Sequence, residues 1–336
     1  MAHGHRSIAI TDRSSVGEAR RTAVHLAQAL GFNEDRRSDI GIAVTESATN
    51  ILLHAAKGEL IICPSVEGNV IWLDLLALDT GPGIVDVGRA MQDGFSSIGT
   101  AGQGLGAISR LSDESALYTV PGKGTANWCR FKSTGDTALA MSIGLLNIPL
   151  QGELVCGDSY FIEVGPARSI YMMVDGLGHG RGAAEAAAEA VATVSRLRRE
   201  SASEIMGRTH DALRKTRGAA MSIAIVDHER LILTYAGIGN VTAALVTGSL
   251  SRTLVSQNGT LGAALPRSPQ EYTFPIFRDT MLLMFTDGLT TKAALSGYPG
   301  LQHRHPALMA GVLLRDFSRR RDDATIMIAP LGGKQT

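Results

Sequence analysis

Several aspartates of this sequence stand where a predicted strand begins or ends, and the best placed of them is Asp175. It follows the apolar run Ile170–Val174, and four glycines come within the next seven residues. A carboxylate at the mouth of a strand offers an oxygen to a hard cation, and Gly176 has no side chain to keep its own carbonyl from the same ion. A plain glycine-rich turn between a strand and a helix is the alternative interpretation, and this motif by itself fits both.

Three further acidic stretches occur in the same half of the chain. Asp158 lies on a turn at the start of a strand pattern, and Asp287 follows the apolar run Met281–Phe285. Asp322 and Asp323 come just before the last predicted strand. Because adjacent acids cannot be separated by pattern, either of these two could bind the ion. We expect the strand-edge aspartates to gather around divalent cations.

The contexts of these aspartates, GD, DGxGxG, TDG and DDAT, resemble the metal-dependent protein phosphatases of the type 2C class. The likeness is to their bacterial SpoIIE and RsbX branch and spans about residues 140–330. The motifs RGAAMSIAIV (Arg217–Val226) and AGIGNV (Ala236–Val241) fit the same branch. The resemblance implies two antiparallel sheets packed face to face with helices outside, and Mn²⁺- or Mg²⁺-dependent hydrolysis of phosphoserine or phosphothreonine.

The same resemblance implies a set of metal ligands. They are Asp158, Asp175, Gly176 through its carbonyl, Asp287 and Asp322, and Asp175 would be the bridging ligand at the catalytic centre. His179 lies within the glycine loop. It could act as an acid near the leaving oxygen, or it could be exposed or structural.

In the first half, a helix is predicted from near Glu34 to Ala56. Its apolar residues recur at spacings of three and four, so one face packs inward. Glu46 and Asn50 are four residues apart and share another face. A polar pair at this spacing is usually a solvated helix face, and only the downstream sequence points to a function for it.

A series of glycine motifs follows this helix. A predicted hairpin spans Leu60–Val66 and Val70–Leu78, and DTGPGI at Asp79–Ile84 comes directly after it. GQGLGAISRL at Gly102–Leu111 opens another helix, and GKGTANW at Gly122–Trp128 leads to a closing strand. The order ExxxN, DxGxGI, GxGLG and GT resembles the GHKL ATP-binding fold in its small anti-sigma-factor kinase form, RsbW and RsbT.

This second resemblance covers about residues 10–134 and implies bound Mg·ATP. Asp79 would accept a hydrogen bond from the amine of adenine, Asn50 would give an oxygen to the phosphate-bound Mg²⁺, and Glu46 would orient or deprotonate the acceptor. The other implied nucleotide-binding residues are Gly81, Gly83, Gly102, Gly104, Leu105, Gly106 and Thr125. Glycine lets the backbone approach base and sugar, and a helix N-terminus suits phosphates.

Composition limits the remaining possibilities. The chain has 336 residues, a formal net charge of +0 and 5% aromatic residues, which argues against nucleic acid or an anionic membrane as partner. The three cysteines lack metal-type spacing and indicate buried thiols in a reducing compartment. With no apolar run near the roughly 18 residues of a membrane span, we expect a cytoplasmic protein. The first residues, with His3 and His5, are expected to be disordered.

Together these patterns predict an α+β protein of two domains, divided at Ser133–Asp136 into residues 1–135 and 136–336. The first would be a GHKL kinase-like domain and the second a SpoIIE/RsbX-like phosphatase. The implied partner is a STAS-domain protein of the anti-anti-sigma or stressosome type, which one domain phosphorylates and the other dephosphorylates. In the alternative, the first domain only binds a sigma factor or STAS protein under control of nucleotide.

Overall fold

The structure is a computed structural model that describes residues 4–67, 70–91, 104–133, 143–265 and 268–332. Contacts divide the chain into two units, of which the first comprises Met1–Met141 and His303–Arg315, and the second Ser142–Gln302 and Asp316–Thr336. The predicted junction lies almost entirely outside the described residues. The predicted limits 1–135 and 136–336 also do not provide for His303–Arg315, which belongs to the first unit despite its late place in the sequence.

The first unit contains one antiparallel sheet, and its first two helices pack on one face of that sheet. The strands are β1 (Arg6–Ile10), β2 (Gly58–Glu67), β3 (Val70–Asp79), β4 (Glu114–Thr119) and β5 (Thr125–Lys132), in the order β1-β2-β3-β5-β4. The helices are α1 (Arg13–Ala29), α2 (Glu34–Ala55), α3 (Val87–Ala90) and α4 (Gly104–Leu111). Apolar side chains of α1 and α2 meet one sheet face in a closed core. The predicted second helix and hairpin are confirmed.

The start of the chain differs from expectation. Strand β1 pairs with β2, and His5 just before it is buried, so the disordered start was wrong from His5 onward. Burial lowers the pKa of His5 to about 4. Asp12 caps helix α1, because its carboxylate accepts from the backbone N–H groups of Ser14 and Ser15.

The second unit is a sandwich of two antiparallel sheets. The strands are β6 (Gly144–Ile148), β7 (Asp158–Val164), β8 (Arg168–Gly176), β9 (Ala219–Asp227), β10 (Ile232–Ile238), β11 (Thr242–Thr247), β12 (Leu250–Leu254), β13 (Tyr272–Pro275), β14 (Thr280–Phe285) and β15 (Ala324–Pro330). One sheet has the order β13-β10-β9-β8-β7, and the other β12-β11-β14-β15-β6. Helices α5 (Arg181–Arg196) and α6 (Ala202–Ala212) complete the layers.

Two cores hold the sandwich together. In one, the alanine-rich face of α5 and apolar residues of α6 pack on β8 and β9. In the other, apolar residues of both sheets interdigitate. These layers confirm the predicted α+β class and the sandwich flanked by helices. Of the helices in the described part of the chain, none is long and apolar enough to cross a membrane.

The last helix, α7 (Pro306–Phe317), belongs to the first unit as far as Arg315. Every residue from Pro306 to Leu314 is buried. Gly311 faces the sheet so closely that a Cβ there would lie 2.6 Å from the side chain of Leu76 on β3. A helix that is apolar all round needs cover on every side, and this sheet face supplies part of it.

Candidate functional site

The centre of the second unit is a pair of aspartates on neighbouring strands. Asp158, the first residue of β7, is in register with Asp175 near the end of β8. Directly opposed side chains of an antiparallel pair lie close together. Asp158 is buried, and its Oδ2 accepts a hydrogen bond of 2.7 Å from the hydroxyl of Thr286. That hydroxyl fixes the orientation of the carboxylate.

Glycines next to the aspartates allow the surrounding turns to meet. A Cβ on Gly157 would lie 2.7 Å from Oδ2 of Asp323, and one on Gly176 would collide with the carbonyl of Ala183. Gly288, just after Asp287, has the backbone of Asp323 in the place of a side chain. Each glycine of the GD and DG motifs is therefore required by close backbone packing, independently of any ion.

The structure distinguishes the two adjacent acids near the C-terminus. Both carboxylate oxygens of Asp323 are committed, since Oδ1 accepts from the backbone N–H of Leu150 at 2.7 Å and Oδ2 from that of Gly157 at 2.8 Å. Asp322 accepts one backbone hydrogen bond through Oδ1. This geometry favours Asp322 as the ligand and gives Asp323 the role of tying three loops together.

The carboxylates repel one another. Burial, followed by the charges of Asp158, Asp287 and other nearby aspartates, raises the pKa of Asp175 to about 8. Burial also raises the pKa of Asp158, to about 7. Divalent cations would relieve this repulsion by neutralising the cluster. The neighbouring thiol of Cys156 stays protonated because burial raises its pKa, so the available donors are oxygens, as Mg²⁺ and Mn²⁺ prefer.

Within the described residues, no three His, Cys, Asp or Glu side chains are closed around a single point. Mg²⁺ characteristically takes one or two carboxylates and completes its shell with other oxygens. The arrangement around Asp175 fits such sharing, and the ligand set Asp158, Asp175, Gly176, Asp287 and Asp322 stays a prediction.

Sequence reasoning missed two residues that orient these aspartates. Thr286 holds Asp158, and the side-chain N–H of Asn240 donates to Oδ2 of Asp287 at 2.8 Å. Both belong to motifs noted in the sequence, TDG and AGIGNV. The signal was available in part, because carboxylates that bind metals are themselves usually held by hydrogen bonds from nearby polar residues.

The glycine loop after Asp175 carries an exposed polar group of its own. His179 Nδ1 lies 2.7 Å from Oε1 of Glu153, and Nη1 of Arg217 donates to the carbonyl of His179 at 3.4 Å. A Cβ on Gly182 would overlap the Arg217 guanidinium, so this glycine makes room for the arginine. Neither Glu153 nor Arg217 was singled out from the sequence. Arg217 places an exposed cation beside the glycine loop that follows Asp175.

The first unit brings together the polar pair of helix α2. A Cβ on Gly104, the first residue of α4, would lie 3.0 Å from Asn50 Nδ2 and 3.2 Å from Glu46 Oε2. The predicted phosphate loop therefore reaches these two side chains, which would have to shift by a few tenths of an ångström to admit a larger residue. Gly106 is buried in α4 and Leu105 packs against the core, whereas Gly102 lies outside the described residues.

Asp79 ends strand β3 with a fixed carboxylate. Its Oδ1 accepts from the backbone N–H of Gly81 at 2.8 Å and of Thr125 at 3.2 Å. These bonds fix the orientation of the carboxylate. Gly83 has a positive φ of 71°, and a Cβ there would lie 2.5 Å from the carbonyl of Val120. Asp79, Gly81 and Thr125 thus meet at the end of β3, and Gly104 meets the polar pair of helix α2 at the start of α4.

Comparison with known proteins assigns both halves. Residues 10–130 match the histidine kinase-like ATPase domain, and residues 165–331 match stage II sporulation protein E, SpoIIE. The serine/threonine-protein kinase RsbT of Bacillus subtilis (strain 168) is 40% identical over 107 residues, which are 32% of this chain and 80% of RsbT. The chain belongs to the histidine kinase-like ATPase family through its first half, and its second half matches SpoIIE. It combines a histidine kinase-like ATPase domain with a SpoIIE-like phosphatase domain of the type 2C class.

Two further relatives support this assignment. The phosphoserine phosphatase RsbX of Bacillus subtilis (strain 168) is 28% identical over 139 residues, which are 41% of this chain and 70% of RsbX. A structure solved in work on the bacterial stressosome superimposes with a TM-score of 0.52 at 24% identity, over 55% of this chain and 97% of that one. The second likeness concerns the fold alone.

Proposed function

We propose that the ATPase domain phosphorylates, and the SpoIIE-type domain dephosphorylates, a serine or threonine of one STAS-domain protein. The partner would be of the anti-anti-sigma or stressosome type. The kinase RsbT and the phosphoserine phosphatase RsbX, each similar to one half of this chain, support the pairing of opposed activities. The observation that carries the proposal is the aspartate cluster around Asp175, which has the donor chemistry of a Mg²⁺ or Mn²⁺ centre.

In the phosphatase domain, Asp158, Asp175, Asp287 and Asp322, with the Gly176 carbonyl, would hold the cations. Bound divalent ions would lower the pKa of a water toward neutrality and so supply the nucleophile for attack on phosphorus. Thr286 and Asn240 keep two of the carboxylates in fixed orientations. The exposed guanidinium of Arg217 is suited to bind oxygens of the substrate phosphate. His179, whose imidazole is oriented by Glu153, would give a proton to the leaving serine oxygen.

In the ATPase domain, Asp79 would select adenine because an ionised carboxylate accepts hydrogen bonds and donates none. Asn50 would contribute a neutral oxygen to the Mg²⁺ that accompanies the phosphates. Glu46 lies beside Asn50 at the N-terminus of helix α4, where it could take the proton of an acceptor hydroxyl. This position of Glu46 favours phosphoryl transfer over the alternative of a nucleotide-gated binding module.

The decisive experiment follows ³²P from ATP to a STAS-domain protein with three forms of the full chain. Asp175→Asn should accumulate labelled STAS protein, because it keeps the kinase and loses the phosphatase. The wild type should show label that appears and then declines, and Glu46→Gln should show none. Absence of label with Asp175→Asn, in a preparation that binds ATP, would instead establish the first domain as a binding module.

A further inference from the structure

Helix α7 reaches the nucleotide-binding unit from an unexpected point in the sequence. It lies between Asp287 and Asp322, two predicted metal ligands, yet its residues up to Arg315 group with the ATPase domain. The family match for that domain ends at residue 130. The residues that match this family therefore do not include α7, although α7 groups with the same unit.

The helix is seated on a specific surface. The imidazole of His305, just before α7, stacks on the indole of Trp128 with ring centroids 3.9 Å apart and planes inclined by 9°. Beside Trp128 on β5, Arg130 is 2% exposed and makes two hydrogen bonds, of 2.7 and 2.9 Å, to Asp74 on β3. A charge on a sheet face is buried this deeply only when a covering element excludes water.

At its C-terminal end the helix touches the nucleotide site. Nη1 of Arg315 donates a 3.0 Å hydrogen bond to the backbone carbonyl of Asp79. Gly124 presses on the same carbonyl from another side, since a Cβ there would collide with it. With Oδ1 bound by Gly81 and Thr125, both the backbone and the side chain of Asp79 are held in place.

We infer that Arg315 is a positioning residue of the adenine site, which α7 brings to Asp79 from the phosphatase half of the sequence. The inference rests on the proposed binding of ATP at Asp79. A guanidinium that donates to the carbonyl orients the carboxylate of the same residue, and so controls which base it accepts. Arg315 does not itself touch the nucleotide.

The segment after Arg315 leads to a predicted metal ligand. Six residues lie between Arg315 and Asp322. On the way, the carbonyl of Phe317 accepts from Thr290, and the backbone N–H of Arg319 donates to the carbonyl of Gly288, next to Asp287. The backbone that follows Arg315 is therefore held by the turn that carries Asp287.

The test measures binding of non-hydrolysable ATP and GTP analogues, with Mg²⁺, by calorimetry on the full chain. We expect Arg315→Gln to weaken ATP affinity about tenfold while changing GTP affinity much less, because the variant no longer orients the Asp79 carboxylate that recognises adenine. Arg315→Lys, which retains a charged donor, should recover part of the loss. Arg304→Gln, at an exposed residue of the same segment, is the matched control and should bind as the wild type does.

Equal weakening of both analogues, or no change in either, would overturn the role of Arg315 and leave ATP binding intact. Failure of the wild type to bind ATP at all would remove the proposed nucleotide function and this inference with it. Melting temperatures of each variant identify any general loss of folding, which would weaken both analogues together.

Discussion

Replacement of Gly288 by alanine tests whether close backbone packing positions the metal ligands. A Cβ at this residue would lie 2.0 Å from the carbonyl oxygen of Asp323, whereas real Cβ atoms essentially never approach within 3.0 Å. The obstacle is backbone, so no side chain can rotate away. The backbone at Asp323 must therefore move by about 1 Å relative to the turn that carries Asp287.

A displacement of this size at reacting groups costs on the order of a hundredfold in rate. We expect Gly288→Ala to lower Mn²⁺-dependent turnover of a phosphoserine peptide by about that factor. The assay compares kcat at saturating Mn²⁺, below the melting temperature of every variant. Gly207→Ala is the matched control, because the same methyl group enters open space on helix α6 and should leave turnover unchanged.

Turnover of folded Gly288→Ala within threefold of the wild type would refute the reasoning. It would mean that Asp322 and Asp287 do not need the spacing that this glycine permits. A fall in both alanine variants would point instead to a general sensitivity of the domain.

Three further predictions concern other parts of the molecule. Asp322→Asn should lower turnover and Mn²⁺ affinity with little change in melting temperature. Asp323→Asn should instead cost about 1–3 kcal/mol of stability, since one of its two backbone donors loses its acceptor. Denaturant unfolding and metal titration distinguish the two effects, and the reverse result would exchange the roles of the two aspartates. Arg217→Ala should raise KM for a phosphopeptide about tenfold with a smaller change in kcat, whereas Arg214→Ala, at an exposed arginine paired with Asp211, should leave KM unchanged. If Arg217→Ala has the KM of the wild type, Arg217 is not a phosphate ligand. Burial, and then the charge of Arg130, lowers the pKa of His305 to about 3, so below pH 6.5 the unfolded chain binds a proton that the folded chain does not. Between pH 6.5 and 3 the wild type should therefore lose up to about 1.4 kcal/mol of stability per pH unit relative to His305→Phe. Parallel stability profiles of the two proteins against pH would contradict this.

The fold was largely accessible from the sequence because its signals are local. Apolar runs marked the hairpin of β2 and β3, and spacings of three and four marked helix α2. Strand β1 was missed because Arg6–Ile10 is short and gains its stability from pairing with β2.

The sequence predicted which types of residue form the metal site, but it did not determine the role of each residue. Pattern could not separate Asp322 from Asp323, because the difference lies in backbone donors from Leu150 and Gly157, far away in the sequence. The position of Arg217 depends on the space left by Gly182. Contacts between residues that are far apart in the sequence produce no periodic pattern from which they could be predicted.

Helix α7 shows the same limit at the level of domains. Its uninterrupted apolar run, from Pro306 to Leu314, predicts burial without saying against what. Only the tertiary contacts of His305, Gly311 and Arg315 show that it belongs with the ATPase domain. Sequence order placed it in the phosphatase, where the neighbouring residues on both sides lie.

The most direct test of the central claim is hydrolysis of a phosphoserine peptide by the full chain with Mn²⁺, with Mg²⁺ and with chelator, beside Asp175→Asn. We expect the wild type to turn over only with a divalent ion, and Asp175→Asn to lose nearly all activity while keeping its fold. Hydrolysis that persists in chelator, or a folded Asp175→Asn that works at the wild-type rate, would contradict a metal centre built on the aspartates around Asp175.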